Sequence, residues 1–298
     1  MDFNRSIKIA TGTASSAYLD LNSITTAPSY GTPFSGYLTE SVSYSNSSVS
    51  GFVDSIAQRD GAEADTAFLG IRQVQLIVQV YGSSSADFYD RLDALNSALQ
   101  PYPEFASGND GFRSLDFDQA TINTTAFTSG LIPLRLKVRP TNIPAYTLNN
   151  DLVTPRTSDR GISTKAAVTL IAKDPRKISQ SDTTGTVNIS PSTTTTTTLT
   201  NDGNYTAYPT FIFISSSTAS QTATISTSLW TTQVILPASS TVTVNSDGRT
   251  VRIGTTLRMD LVASGTTSFP YLRPGANVIT TSALTSVTAT FSFNEAWL

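Results

Sequence analysis

From Ser179 to Leu298 the chain holds no helical pattern at all. It holds short β-branched runs at regular spacing instead: Val187 to Ile189, Thr193 to Thr200, Pro209 to Ile214, Ala223 to Leu229, Thr232 to Leu236, Thr241 to Val244, Thr250 to Ile253, Val278 to Thr281 and Val287 to Phe293. Turn signals separate several of them: Asn201-Asp202-Gly203-Asn204, Ser246-Asp247-Gly248 and Arg273-Pro274-Gly275. Many short strands with frequent turns predict an antiparallel β-sandwich. The threonine run Thr193 to Thr198 reads either as low complexity or as a solvated strand, and β-branching together with its place in the strand spacing favours the strand.

The first half reads differently. Ile7 to Leu21 predicts one or two strands, and Tyr37 to Val53 a strand pair. In Ile71 to Tyr81, Arg72, Val74, Leu76, Val78 and Val80 alternate with Gln73, Gln75, Ile77 and Gln79. That predicts a strand with one buried and one polar face. Ser85 to Gln100 is the one predicted helix: Ser84 or Ser85 can cap it, Asp87 and Asp90 sit near its N-terminus, Phe88, Leu92, Leu95 and Leu99 share a face, and Pro101 stops it. Phe112 to Val138 predicts a hairpin or meander, and Ala166 to Ala172 a short strand. Ala57 to Gly70 and Thr141 to Ile162 read as polar loops. The fold expectation is therefore mainly β: a β-rich α+β domain with one main helix over residues 1–176, and a β-sandwich over 177–298. Whether Val287 to Phe293 stays in the sandwich or returns to the first domain is open at this level. A chain of 298 residues exceeds the usual span of one core, which agrees with two domains.

Composition removes several functional classes. Charged residues are 14%, against about a quarter in typical domains, and Ser and Thr take their place. Such a surface repels other protein weakly and suits a subunit of an assembly, as it also suits secreted β-proteins. Net charge is −3, without a basic cluster, so nucleic-acid and anionic-membrane binding lack their electrostatic footprint. Cys and His are absent, which excludes disulfides, thiol nucleophiles, His bases and His or Cys metal ligands. Met1 to Leu21 has no apolar run of signal-peptide type, and no stretch approaches the roughly 18 apolar residues of a membrane span. The expectation is a chain made in a soluble, reducing compartment or assembled there into something larger.

Little catalytic chemistry is written in the remaining residues. Asp116 and Asp118 fall on one face of a strand, about 7 Å apart. They could hold Ca²⁺ or act as a glycosidase pair, but two solvated strand residues is the better reading. Asn201-Asp202-Gly203-Asn204 resembles part of a Ca²⁺ loop but lacks the later bidentate Glu, so a plain turn is favoured. Nucleophile-elbow, Walker and dinucleotide motifs are absent. Trp230 and Trp297 could stack on sugars, although a Trp in a sandwich is more often core or interface. No cofactor is expected.

The order of motifs carries more. Arg59-Asp60-Gly61, the strand opening at Ile71-Arg72, Tyr81-Gly82, a helix with Arg91-Leu92 and Leu95, and Ala172-Lys173-Asp174-Pro175-Arg176 follow one another. After them come Asn201-Asp202-Gly203-Asn204 leading to Pro209-Thr210, then Ser246-Asp247-Gly248-Arg249-Thr250-Val251, Leu272-Arg273-Pro274-Gly275-Ala276-Asn277 and the closing Glu295-Ala296-Trp297-Leu298. This series resembles the siphophage distal tail protein (Dit) family over nearly the whole chain. The resemblance implies a structural virion protein of the phage tail tip, assembled in the host cytoplasm, and not an enzyme. It implies a belt domain closing into a hexameric ring and a galectin-like C-terminal sandwich projecting outward. The ring would join the tail tube to the baseplate hub or fibres and let tape measure protein and DNA pass. Ring-contact candidates on this reading are Arg59, Asp60, Arg72, Val74, Leu76, Phe88 and Arg91. The competing readings are a carbohydrate-binding host-adhesion module, another tail structural protein such as a tube protein or fibre anchor, and a glycoside hydrolase using Asp116 and Asp118.

Overall fold

The computed structural model describes residues 6–11, 17–24, 35–45, 49–50, 53–55, 62–64, 68–101, 111–120, 131–146, 162–189, 194–283 and 287–298. The chain folds as two units, Met1–Pro175 and Arg176–Leu298. The architecture is mainly β, as the alternation predicts.

The first unit is built on an antiparallel row of seven strands in the order Tyr18–Asp20, Ile7–Ala10, Arg113–Ala120, Leu131–Pro140, Ile162–Ala172, Arg72–Gly82 and Gly36–Tyr44. Arg72–Gly82 pairs with Ile162–Ala172 along its full length. Its Val74, Leu76, Val78 and Val80 are buried, while Gln73, Gln75 and Ile77 are exposed. One helix, α1 (Ser85–Ala98), packs Phe88, Leu92, Leu95 and Ala98 into the core. Each such large apolar side chain contributes about 1.5–3 kcal/mol by leaving water.

The local sequence explains both ends of α1. The Ser84 hydroxyl accepts the Asp87 amide at 3.2 Å. The Asp87 carboxylate in turn accepts the Ser83 amide at 2.8 Å, near the positive end of the helix dipole. Hydrogen bonds from the Ser35 hydroxyl and then Ser83, with Arg91 alongside, hold the Asp87 carboxyl below its ordinary range. Gly82 is required at the strand–helix corner, because a Cβ there would lie 2.5 Å from the Phe88 backbone. At the other end the buried Arg113 guanidinium donates to the carbonyls of Ala98 and, at 3.0 Å, Gln100. These are carbonyls that the end of the helix leaves without an intrahelical partner.

Two polar segments depart from the loop expectation. The Gly36–Tyr44 and Arg72–Gly82 hairpin continues outward through Val49–Ser50 paired with Phe68–Leu69, then Val53–Ser55 paired with Ala62–Ala64. Part of Ala57 to Gly70 is therefore strand. In Thr141 to Ile162, Ala145–Tyr146 pairs with Ala166 and Ala167, and the next strand already starts at Ile162. Ladder pairing with a neighbour rescued segments whose own side chains carry no clear period.

The second unit is a sandwich of a six-stranded and a four-stranded antiparallel sheet. The six-stranded order is Thr183–Ile189, Val287–Phe293, Thr210–Ser215, Thr241–Asn245, Thr250–Ile253 and Thr256–Leu257. The four-stranded order is Thr195–Asn201, Gly275–Ala283, Gln221–Ser226 and Thr231–Leu236. Val287–Phe293 lies between Thr183–Ile189 and Thr210–Ser215, inside this sandwich. The threonine run forms the strand Thr195–Asn201. Phe211, Phe213, Phe291, Phe293, Trp230 and the inward Val, Ile and Leu residues form its core.

Candidate functional site

In the second unit, the turn Asn201-Asp202-Gly203-Asn204 and the closing Glu295-Ala296-Trp297-Leu298 are joined at one place, around the last residues of the chain. Ala296–Trp297 pairs with Lys177–Ser179. Ser179 donates its amide to the Glu295 carbonyl at 2.9 Å and accepts the Glu295 amide on its hydroxyl at 3.0 Å. Asn294 donates to the Ser179 carbonyl at 3.1 Å and to Asp182 at 2.6 Å.

The turn Asn201-Asp202-Gly203-Asn204 also grips this tail. The Tyr205 amide donates to the Ala296 carbonyl at 3.0 Å, and the Leu298 amide to the Asn204 side chain at 2.9 Å. Gly203 sits directly on the Ala296 peptide, where a Cβ would overlap the Ala296 carbonyl oxygen. The fully buried Asn201 shapes the turn: it accepts the Gly203 amide at 3.1 Å and donates to the carbonyls of Tyr205 at 2.8 Å and Leu272 at 3.2 Å. Side-chain bonding of this kind is what Asn supplies in turns. Asn277 does the same for the Arg273-Pro274-Gly275 turn, accepting the Arg273 amide at 3.0 Å and donating to the carbonyls of Arg273 and Gly275 at 2.8 Å. Arg176 is held by Asp247 at 2.7 Å and lies 4.9 Å above the Tyr208 ring. The motif residues thus build a clasp, and the Ca²⁺-loop-like tetrapeptide is a turn. The Asx signal at Asn201 and Asn277 was available in the sequence; the partner it holds was not.

One carboxylate in the clasp is strained. Burial, and then the neighbouring Asp202, raise the Glu295 pKa, while the Asp202 backbone bond opposes the shift. A carboxyl raised on folding is penalised once it ionises. The penalty is absent below the unfolded pKa, grows as pH rises through it, and is complete above the folded pKa. Glu295→Gln is expected to raise the urea midpoint of the second unit slightly at pH 7 and to match the parent in acid below the ordinary Glu range. An unchanged midpoint at both pH values would show that the charge carries no penalty.

The expected ring contacts divide. Arg59 and Asp60 lie outside the described residues. Val74, Leu76 and Phe88 are at 0%, 1% and 1% exposure, and Arg72 is also buried. Their side chains are packed within this chain, Phe88 from the inner face of α1 and the others from the strand Arg72–Gly82. Arg91 is part-exposed, bound to Asp87 at 3.1 Å and Ser35 at 2.7 Å, and stacked over Tyr37 at 5.9 Å. It ties α1 to the start of Gly36–Tyr44. The opposite face of the strand Arg72–Gly82 carries Gln73, Gln75 and Ile77, all exposed. Tyr18–Asp20 and Gly36–Tyr44 end the row, and residues 21–24 bond to the latter: the Tyr37 carbonyl accepts the Ile24 amide at 3.2 Å and the Tyr37 amide donates to the Ser23 hydroxyl at 2.9 Å.

Asp116 and Asp118 do share a face, but they do not form an acid–base pair. Arg135 grips both oxygens of Asp116, at 2.7 and 2.8 Å. The registers place Asp20, Lys8, Asp116 and Arg135 side by side on four adjoining strands, a row of alternating sign. Asp118 accepts the Ser6 amide at 3.0 Å and borders a cleft of about 220 Å³ with Asn22, Glu40 and Tyr44. Both tryptophans are buried, and Trp230 donates its indole N–H to the Tyr271 carbonyl at 2.8 Å. Neither offers a sugar platform.

Comparison with known proteins agrees with the architecture. Residues 202–297 match the family described as siphovirus-type tail component, C-terminal domain. The solved Dit protein of phage SPP1, described as a paradigm of the hub adsorption apparatus in phages infecting Gram-positive bacteria, is similar over 99% of both chains, with a TM-score of 0.59 and 16% identity. A chain of the phage p2 baseplate is similar over 97% of both chains, with a TM-score of 0.47 and 8% identity. No curated protein matches in sequence. The resemblance to the siphophage distal tail proteins therefore holds in sequence over residues 202–297, which match the siphovirus-type tail component model, and in fold over the whole chain.

Proposed function

We propose that this chain is the distal tail protein of a long-tailed phage, a structural and non-enzymatic subunit that closes into a ring, six copies by analogy, between tail tube and baseplate hub or fibres. The observation that carries the reading is the tail-component domain in the second unit combined with a Dit fold that runs from end to end. The low charge and hydroxyl-rich surface fit a subunit that is largely buried by its neighbours. The first unit supplies the ring. One sheet row ends in Tyr18–Asp20 at one side and in Gly36–Tyr44, bonded by residues 21–24 at Tyr37, at the other, and the contact lies between the two ends of the row in neighbouring copies. A single heterologous contact repeated in this way closes a ring and covers both edges. The second unit is offered to the hub or fibre proteins.

Light scattering after size exclusion, with negative-stain images of the same peak, tests this. The expected result is a ring of about six copies. A monomer that persists at high concentration and in the presence of the tube protein would overturn it. Glycan binding by such a monomer would favour the adhesion module, though the burial of both tryptophans weighs against that reading.

A further inference from the structure

The sandwich protects some of its sheet edges and leaves others bare. Thr231–Leu236 ends the four-stranded sheet on one side, but residues 262–268 cover it. There the Ala263 and Thr267 amides donate to the Gln233 and Thr231 carbonyls at 2.9 and 2.8 Å, and the hydroxyls of Thr266 and Thr267 accept the Gln233 and Thr231 amides, both at 2.9 Å. The six-stranded sheet ends at Thr256–Leu257, only two residues long, followed at once by the Arg258–Asp260 ion pair at 2.8 Å. A covering loop, a very short edge and adjacent charge are the devices that stop sheets from pairing edge to edge.

Thr195–Asn201 has none of them. It pairs with Gly275–Ala283 in unbroken register and, among the described residues, with nothing on its other side. Its seven residues include no charge, proline or glycine. No charged residue occurs between Asp182 and Asp202. Thr196, Thr198 and Thr200 are exposed on the outer face.

We propose that this edge is an interaction surface whose occupant is the same strand of a second copy, paired antiparallel about a twofold axis. The strand is its own complement. Outward Thr meets outward Thr, a favourable β-branched cross-strand pair, and no like charges are brought together. The flanking aspartate selects the direction. In a parallel in-register pair Asp202 would lie beside its own copy, whereas in an antiparallel pair centred on Thr198 it lies beside Thr194. An isologous contact of this kind joins two chains, and so two assemblies, and is separate from the repeated contact proposed for the first unit.

The absence of cysteine makes the test direct. Thr196→Cys, Thr198→Cys and Thr200→Cys are made one at a time in the full chain, with Ser228→Cys, on an exposed loop, as control. Mild oxidation is expected to convert at least one edge variant mostly to a disulfide-linked dimer, since directly opposed strand residues bring their Cβ atoms near disulfide range. The control stays at background. Adding a lysine at a neighbouring outward position, Thr196→Lys to Thr198→Cys or Thr198→Lys to either of the other two, is expected to abolish that cross-link. Three edge variants no better than Ser228→Cys, or a cross-link that survives the neighbouring lysine, would overturn the proposal. So would amides of Thr195–Asn201 that exchange freely in the protein alone at every concentration and become protected only with another tail protein.

Discussion

Arg113→Ala is expected to lower the stability of the first unit by about 3–5 kcal/mol, from a cavity and lost charge-assisted hydrogen bonds together. Arg113 is 1% exposed, on the strand Arg113–Ala120, and its guanidinium spans the carbonyls of Ala98 and Gln100 at the end of α1. Burial lowers its pKa, but an arginine remains charged there and its bonds stay charge-assisted. Arg113→Lys keeps the charge and loses the fork, so it is expected to fall between Ala and the parent. The two units can be read separately. Both tryptophans, Trp230 and Trp297, are in the second unit, and α1 is in the first. In a urea titration the helical circular-dichroism signal should move to lower denaturant, while the tryptophan transition stays in place. Coincident movement of both signals would mean that the units unfold together, and an unmoved helix signal would remove Arg113 as the anchor of α1.

Gly203→Val should show the reverse pattern. Gly203 has no unusual backbone angle among the described glycines; it is needed for space, because the Ala296 peptide lies against it. A branched side chain must push the tail out of its clasp. The cost is about 3 kcal/mol, from overpacking and from the lost burial of Ala296 and Trp297, which are 1% and 6% exposed. The expected signature is a red-shifted tryptophan emission, a lower tryptophan midpoint and faster amide exchange at residues 294–298, with the helix signal unchanged. Gly203→Ala should give a smaller shift in the same direction. Parent-like emission and stability in Gly203→Val would show that the tail does not rest on this turn.

The sequence by itself determined the elements wherever a period is written in side chains. The alternation from Arg72 to Val80 set a strand and its buried face, and the spacing of Phe88, Leu92 and Leu95 set α1. β-branching turned even a run of threonines into the strand Thr195–Asn201. The ordered motifs also led to the right family resemblance. What sequence could not supply is which surface meets what. Val74, Leu76 and Phe88 lie on the strand and helix expected to make the ring contact, yet all three are buried, because an amphipathic strand and helix spend their apolar faces inside their own subunit. Pairing between separate segments, such as Arg135 with Asp116, Asn201 with Leu272 or Asn204 with Leu298, rests on neighbours far away in the chain. A local pattern fixes the direction a side chain points relative to its own backbone; only the tertiary structure decides what stands opposite it.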